Sequence, residues 1–223
     1  MAKDTYIGAG TSLSSSYYMR NFYISNRDAR TASKRKDMDN SSLTLADGQA
    51  LRRAIKKIGS LEFDDNNDSY IRNSVKAFID TFNNTIDSTS DSTDHTLSRN
   101  MKQLKSIAQE YSSDLDKIGI TVNDDGTLTR RDALFSTASL SKFEKLFSSG
   151  SDFMQRASAC AKRIERRSDS LTFTEKNQEL LQNATCQSAA ATDTTAVAQL
   201  ISDGTDLDTL LNTGIGQNVN IVL

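Results

Sequence analysis

Between Ile71 and Ile118 apolar residues recur at alternating spacings of three and four, in two runs separated by a polar turn. In the first run Ile71, Val75, Phe78, Phe82 and Thr85 line one face, and Ile79 and Ile86 broaden it. In the second, Leu97, Met101, Leu104, Ala108, Tyr111, Leu115 and Ile118 keep the repeat through three heptads. Such spacing is the signature of amphipathic helices, and a short connection makes neighbouring helices antiparallel. Helices are therefore expected over 69–87 and 96–118, paired as a coiled-coil hairpin across the Ser/Thr/Asp linker 88–94.

Nothing in the chain obstructs long helices, because the sequence has no proline. A proline costs about 3 kcal/mol inside a helix, and without X-Pro bonds no slow isomerisation delays refolding. Only 36% of residues are apolar, tryptophan is absent, and mean hydropathy is −0.53. That apolar share is low for a thick, layered core but serves helices that each bury a single stripe. The expected fold is mainly α, an elongated antiparallel coiled-coil hairpin with further helices and one small β-hairpin.

Three segments organise the chain. Residues 1–42 are polar and basic, with Arg20, Arg27, Arg30, Lys34, Arg35 and Lys36. Tyr17, Tyr18, Phe22 and Tyr23 cluster there beside Arg20. The cluster reads as a stacking platform for nucleic acid, as an anchor for a partner chain, or as a short, partly ordered terminal helix. The acidic balance of the whole chain weighs against the first. Residues 43–186 form the expected helical body. It begins with a helix over 46–58, whose Leu51, Ala54, Ile55 and Ile58 oppose Arg52, Arg53, Lys56 and Lys57, and Gly59 is placed to end it. Residues 187–223 are rich in Ala, Thr and Asp; Val197, Leu200, Ile201, Leu207, Leu210 and Leu211 suit an amphipathic or flexible tail, and Asp203, Asp206 and Asp208 make it acidic, so that it could approach the basic N-terminal segment, although a solvated tail is favoured.

The stretch Leu115–Leu134 holds a joint. Ile118 ends the second stripe and Gly119 supplies the positive φ favoured at a helix C-terminus. Ile120, Val122 and Leu128 have strand character, and Asp125-Gly126 signals a tight hairpin over 119–129. Thr129 and Asp132 are spaced as an acidic capping box for the next helix. Short helices are expected at 132–137 and 142–148, the second with a capping box from Ser141 and Glu144. A longer helix over 151–186 follows, with a potential break at 168–174.

Residues that carry chemistry are sparse. His95 is the sole histidine and sits in a linker, so neither zinc nor triad chemistry is expected. Cys160 and Cys186 make no disulfide framework; on one continuous helix they lie about 39 Å apart at roughly 1.5 Å per residue, which leaves a bridge dependent on a chain reversal. Asp64, Asp65 and Asp68 read as a solvated turn. Asn40, Asn67, Asn83 and Asn183 head glycosylation sequons of a kind that chance supplies in a chain rich in Asn, Ser and Thr. With Gly126 at position six of a calcium loop, Asn123 and Asp125 fall at three and five and Asp132 at twelve, but Thr121 stands at one, where the motif wants aspartate. A hairpin turn is favoured over that loop. No Gly-rich phosphate loop occurs, so no catalytic, cofactor or metal site is expected. With a net charge of −2 and a pI near 5.5, no global field favours nucleic acid. No apolar run is long enough to span a membrane, and Met1–Tyr6 begins no signal peptide.

Residues 70–170 resemble the C-terminal region of the filament-capping protein of the bacterial flagellum, the second hook-associated protein. The likeness rests on Val75 to Asn83, on Leu115-Asp116-Lys117-Ile118-Gly119-Ile120, on Asp125-Gly126-Thr127-Leu128 and on Leu146-Phe147. Family members carry large β-rich outer domains before this region and often an aspartate strand after the hairpin, where this chain has Arg130-Arg131-Asp132. The resemblance therefore implies a divergent or reduced relative: a non-enzymatic, secreted, flagellum-associated protein that oligomerises with itself or related helical subunits. Ile71, Val75, Phe78, Phe82, Leu97, Met101, Leu104, Ala108, Tyr111 and Leu115 are the expected helix-pairing residues. Ile118, Gly119, Ile120, Asp125, Gly126 and Leu128 form the family-like turn. The rival classes are a cytoplasmic helical adaptor or export chaperone and a calcium-dependent binding module.

Overall fold

The computed structural model describes residues 14–191, and side chains through residue 183. The described residues form nine α-helices and one two-stranded antiparallel sheet, a mainly α fold with a single β-hairpin. The chain divides into a first unit ending at Phe173 and a second beginning at Thr174. The first 13 residues and the tail from residue 192 lie outside the described residues, including the acidic, leucine-bearing stretch read as an amphipathic or flexible tail.

Within the first unit, α1 (Ser15–Phe22) and α2 (Ala32–Arg35) precede α3 (Asn40–Gly59), α4 (Asp68–Ser90) and α5 (His95–Glu110). The short α6 (Ser112–Asp116) leads into β1 (Ile120–Val122) and β2 (Leu128–Arg130), followed by α7 (Asp132–Thr137) and α8 (Leu140–Phe147). The last helix, α9, spans Asp152–Ala191 and crosses 168–174 without the break suggested by its β-branched residues. Ser168 and Thr172 fall on the inward stripe with Ala161 and Ile164 and are buried there, so packing overrides propensity. In the second unit, residues 174–183 are helical and exposed.

Central to the first unit is α4, which packs along α3 and also meets α1, α5 and β2. The α4–α5 pair across the 91–94 turn is thus joined by a larger α3–α4 contact. Both helices outrun their apolar patterns. α3 starts six residues before the expected Ala46, because Asp39 accepts from the Ser42 amide at 2.7 Å and buried Thr44 donates to the Ser88 carbonyl at 3.0 Å. α4 continues to Ser90 because Ser88 and Thr89 are buried. The Thr89 hydroxyl donates back to the Thr85 carbonyl, while the buried Ser88 hydroxyl has no partner among the described residues, so it is burial of the face that carries the helix on.

The expected 96–118 helix is interrupted. Tyr111 leaves helical geometry (φ −94°, ψ 10°), its ring packs 5.4 Å from that of Phe153, and its hydroxyl donates to Asp152 at 2.6 Å. Neither expected capping box forms. Thr129 is committed to β2 and Asp132 to an ion pair with Arg130, while α8 begins at Leu140 with Ser139 as its cap, which places Ser141 inside the helix. α9 instead has a cap the pattern did not suggest: the Ser151 hydroxyl accepts from the Met154 amide at 3.2 Å and donates to the Leu146 carbonyl at 2.6 Å.

The aromatic cluster near the N-terminus belongs to the core. Tyr18, Phe22 and Tyr23 are each 2% exposed or less, and Tyr17 alone of the four stays at the surface.

Candidate functional site

Asn83 bonds the hairpin to α4. Asn83 follows Phe82, and its carboxamide donates to the Leu128 carbonyl and accepts from the Leu128 amide, both at 2.8 Å. A side-chain amide paired this way satisfies a strand residue that has no further strand beside it. The register of the hairpin pairs Ile120 with Arg130, Thr121 with Thr129 and Val122 with Leu128. Ile118, Ile120 and Leu128 are buried beneath it.

Two glycines make the joint sterically feasible. Gly119 has φ +78°, and a β-carbon there would lie 2.5 Å from the Phe135 amide nitrogen. Gly126 has φ +83° at the end of a turn in which its amide donates to the Asn123 carbonyl at 2.9 Å. The turn is tight, as expected: the Asn123 amide also donates to the Thr127 carbonyl at 2.8 Å, and the polar side chains of 123–127 bond within it. Asp125 accepts from the Thr127 amide and hydroxyl at 2.8 and 2.5 Å, and the Asn123 carboxamide donates to Thr127 and Thr129 at 2.8 Å. These bonds hold the Asp125 carboxyl below its usual range. With Asp132 paired to Arg130, the groups that a calcium loop would offer are engaged in building a hairpin.

Of the expected helix-pairing residues, Ile71, Val75, Phe78, Phe82, Leu97, Leu104, Ala108 and Leu115 are buried, while Met101 and Tyr111 are partly so. Phe78 is the hub, with its ring centroid 5.5 Å from that of Phe147 and 6.3 Å from that of Phe153, both near edge-on. The pairing residues thus meet not only each other but the ends of α8 and α9.

Two polar constructions escaped the apolar pattern. Arg72 on α4 donates from its Nε to the Asp68 carboxylate at 2.8 Å, and from its terminal nitrogens to the Ala138 carbonyl at 2.8 Å and also to that of Phe135, and lies over the Phe143 ring at 5.1 Å. It ties α4 to the α7–α8 connection. Deeper, Asp47 is fully buried on α3, with Arg35 bidentate at 2.8 and 2.9 Å and the Tyr23 hydroxyl at 2.7 Å. Asn84 donates to that hydroxyl at 2.9 Å. Burial, then the adjacent carboxylate, push the Tyr23 phenol well up, so it stays a neutral donor. The one legible signal was Asp47 itself, an acid four residues before Leu51 on an apolar face.

Among the described residues no group of three or more His, Cys, Asp or Glu side chains is placed to hold a metal. His95 is exposed at the first turn of α5. Cys160 is free and buried, and burial pushes its thiol up, away from the reactive thiolate. Among the same residues no helix is long and apolar enough to cross a membrane. No protein-family model, no curated protein and no solved structure matches the chain. What the geometry offers is a joint between the hairpin and α4, with the ends of α8 and α9 packed on the same helix.

Proposed function

We propose that the chain is a non-enzymatic structural component of an extracellular helical assembly, related to the flagellar filament cap, that works by associating helical faces with neighbouring copies. The observation that carries this reading is the convergence of the separate segments on which the resemblance rests. Asn83 of the Val75–Asn83 run clamps Leu128 of the Asp-Gly-Thr-Leu hairpin, and Phe78 packs on Phe147 of the Leu-Phe pair. Segments about 45 and 70 residues apart in sequence thus make one joint, as expected of motifs that co-operate.

Two measurements test this. The protein should be recovered from the culture supernatant of intact cells, and sedimentation velocity should show mass rising with concentration. Retention inside the cells would replace the assembly reading with that of an intracellular adaptor. A monomer at every concentration, with protease-resistant ends, would remove self-association altogether.

A further inference from the structure

The N-terminal face of the first unit carries a groove that the joint does not use. Tyr17, Arg20, Asn21, Ile24, Arg27 and Arg30 line a cavity of about 390 Å³, with Tyr23 at its inner edge. That volume lies in the range of small binding pockets, ~300–1,000 Å³, and accommodates a few side chains. Tyr17 is 40% exposed and Ile24 59% exposed, so the rim is apolar. Among the described residues, Arg20, Arg27 and Arg30 form no ion pair, whereas the neighbouring Lys34 pairs with Asp28 and Arg35 with Asp47. Three guanidinium groups converging on one groove repel each other unless carboxylates sit among them, and each can take a carboxylate in a two-pronged pair. The complementary ligand is a segment with about three spaced acids and aliphatic side chains between them.

This chain contains one. After Lys176 it has no Lys, Arg or His, and Asp203, Asp206 and Asp208 stand beside Leu207, Leu210 and Leu211. We propose that the groove of one copy receives the segment 203–211 of a second copy, with the aspartates on the three arginines and the leucines on Tyr17 and Ile24. The proposal rests on the self-association reading and specifies which surfaces meet.

Charge reversal on the full chain tests it. Arg20→Glu/Arg27→Glu/Arg30→Glu and Asp203→Lys/Asp206→Lys/Asp208→Lys are prepared separately, and far-UV circular dichroism with the urea midpoint confirms that each folds. By sedimentation velocity each variant alone should associate about tenfold more weakly than wild type, and a mixture of the two should recover association, because opposite charges again face each other. Wild-type association should also weaken as salt rises. Wild type that associates but ignores both reversals, or a mixture that fails to recover, overturns the groove while leaving the assembly reading intact. Monomeric wild type overturns both. Reversals that abolish binding of inorganic phosphate but leave association unchanged would make the groove a small-anion site and overturn the proposal.

Discussion

At Gly119 the backbone leaves no room for any other residue. A β-carbon would meet the Phe135 amide nitrogen at 2.5 Å, and φ is +78°; both the steric and the conformational costs apply. Gly119→Ala should destabilise the fold by about 3 kcal/mol, read as a lower urea midpoint. Gly150→Ala is the matched control, since nothing lies within 4 Å of a β-carbon there, and its midpoint should be unchanged or slightly higher. Asn83 is equally specific in chemistry. It both donates to and accepts from Leu128, so Asn83→Ala should cost about 1–3 kcal/mol. Asn83→Asp should retain only part of the pair, because a carboxylate accepts from the Leu128 amide but cannot donate to its carbonyl. Hydrogen exchange at the Leu128 amide should speed up more in the alanine variant than in the aspartate one.

The elements are joined by contacts at their ends as much as by their stripes. Asp94 is the clearest case. It caps α5 by accepting from the Leu97 amide at 2.9 Å and binds Arg167 of α9 at 2.6 Å. The Arg167 guanidinium, followed by the backbone bonds, holds the Asp94 carboxyl below its usual range despite the opposing effect of burial. A depressed folded value means stability that is present above the ordinary carboxylate pKa of ~3.9 and is lost as pH falls through the folded value. Asp94→Asn keeps a capping oxygen but no charge. It should cost about 0.5–1 kcal/mol near neutral pH, as befits a partly exposed pair, and the gap from wild type should close as the medium is acidified. A gap that stays constant with pH in paired urea titrations would show that the ion pair contributes nothing. The interruption at Tyr111 is read at the same scale: the helical repeat continues through it, and the pull of Asp152 and Phe153 turns the chain instead.

For the first unit as a whole, one hydrophobic core gathers side chains from Tyr18 to Ile164, and the Tyr23–Asp47–Arg35 network lies within it. Because α1, α3 and the hairpin share α4 as their support, they should unfold together. Probes placed near Tyr23 and near Leu128 should report the same urea midpoint. Removing Asp47 leaves the part-buried Arg35 guanidinium with only the Ala29 carbonyl and the more distant Asp87, and leaves the buried Tyr23 hydroxyl without its acceptor. Asp47→Ala should therefore cost about 3–5 kcal/mol, moving both probes equally. Divergent midpoints would divide this unit into independently folding parts.

Periodicity alone determined the helical class, the two stripes from Ile71 to Ile118 and the hairpin, since side-chain spacing and glycine stereochemistry act locally. Phe78, Phe82, Leu104 and Leu115 were legible as core residues for the same reason. Helix ends were legible only where a local signal marks them, as at Gly59 and for Asp132–Thr137; the start of α3 and the break at Tyr111 were not. Thr44 and Ser88 are helical only because each covers the other, and Tyr111 breaks a good helical pattern only because α9 lies beside it. The inward placement of Tyr18, Phe22 and Tyr23, the clamp of Asn83 on Leu128 and the burial of Asp47 likewise depend on residues 24 to 61 positions away. Such partners are set by packing, and no local pattern encodes them. The stretch 115–134 was legible as a joint from its turn signals; tertiary structure supplied the helix to which it is fastened, through Asn83 and Leu128.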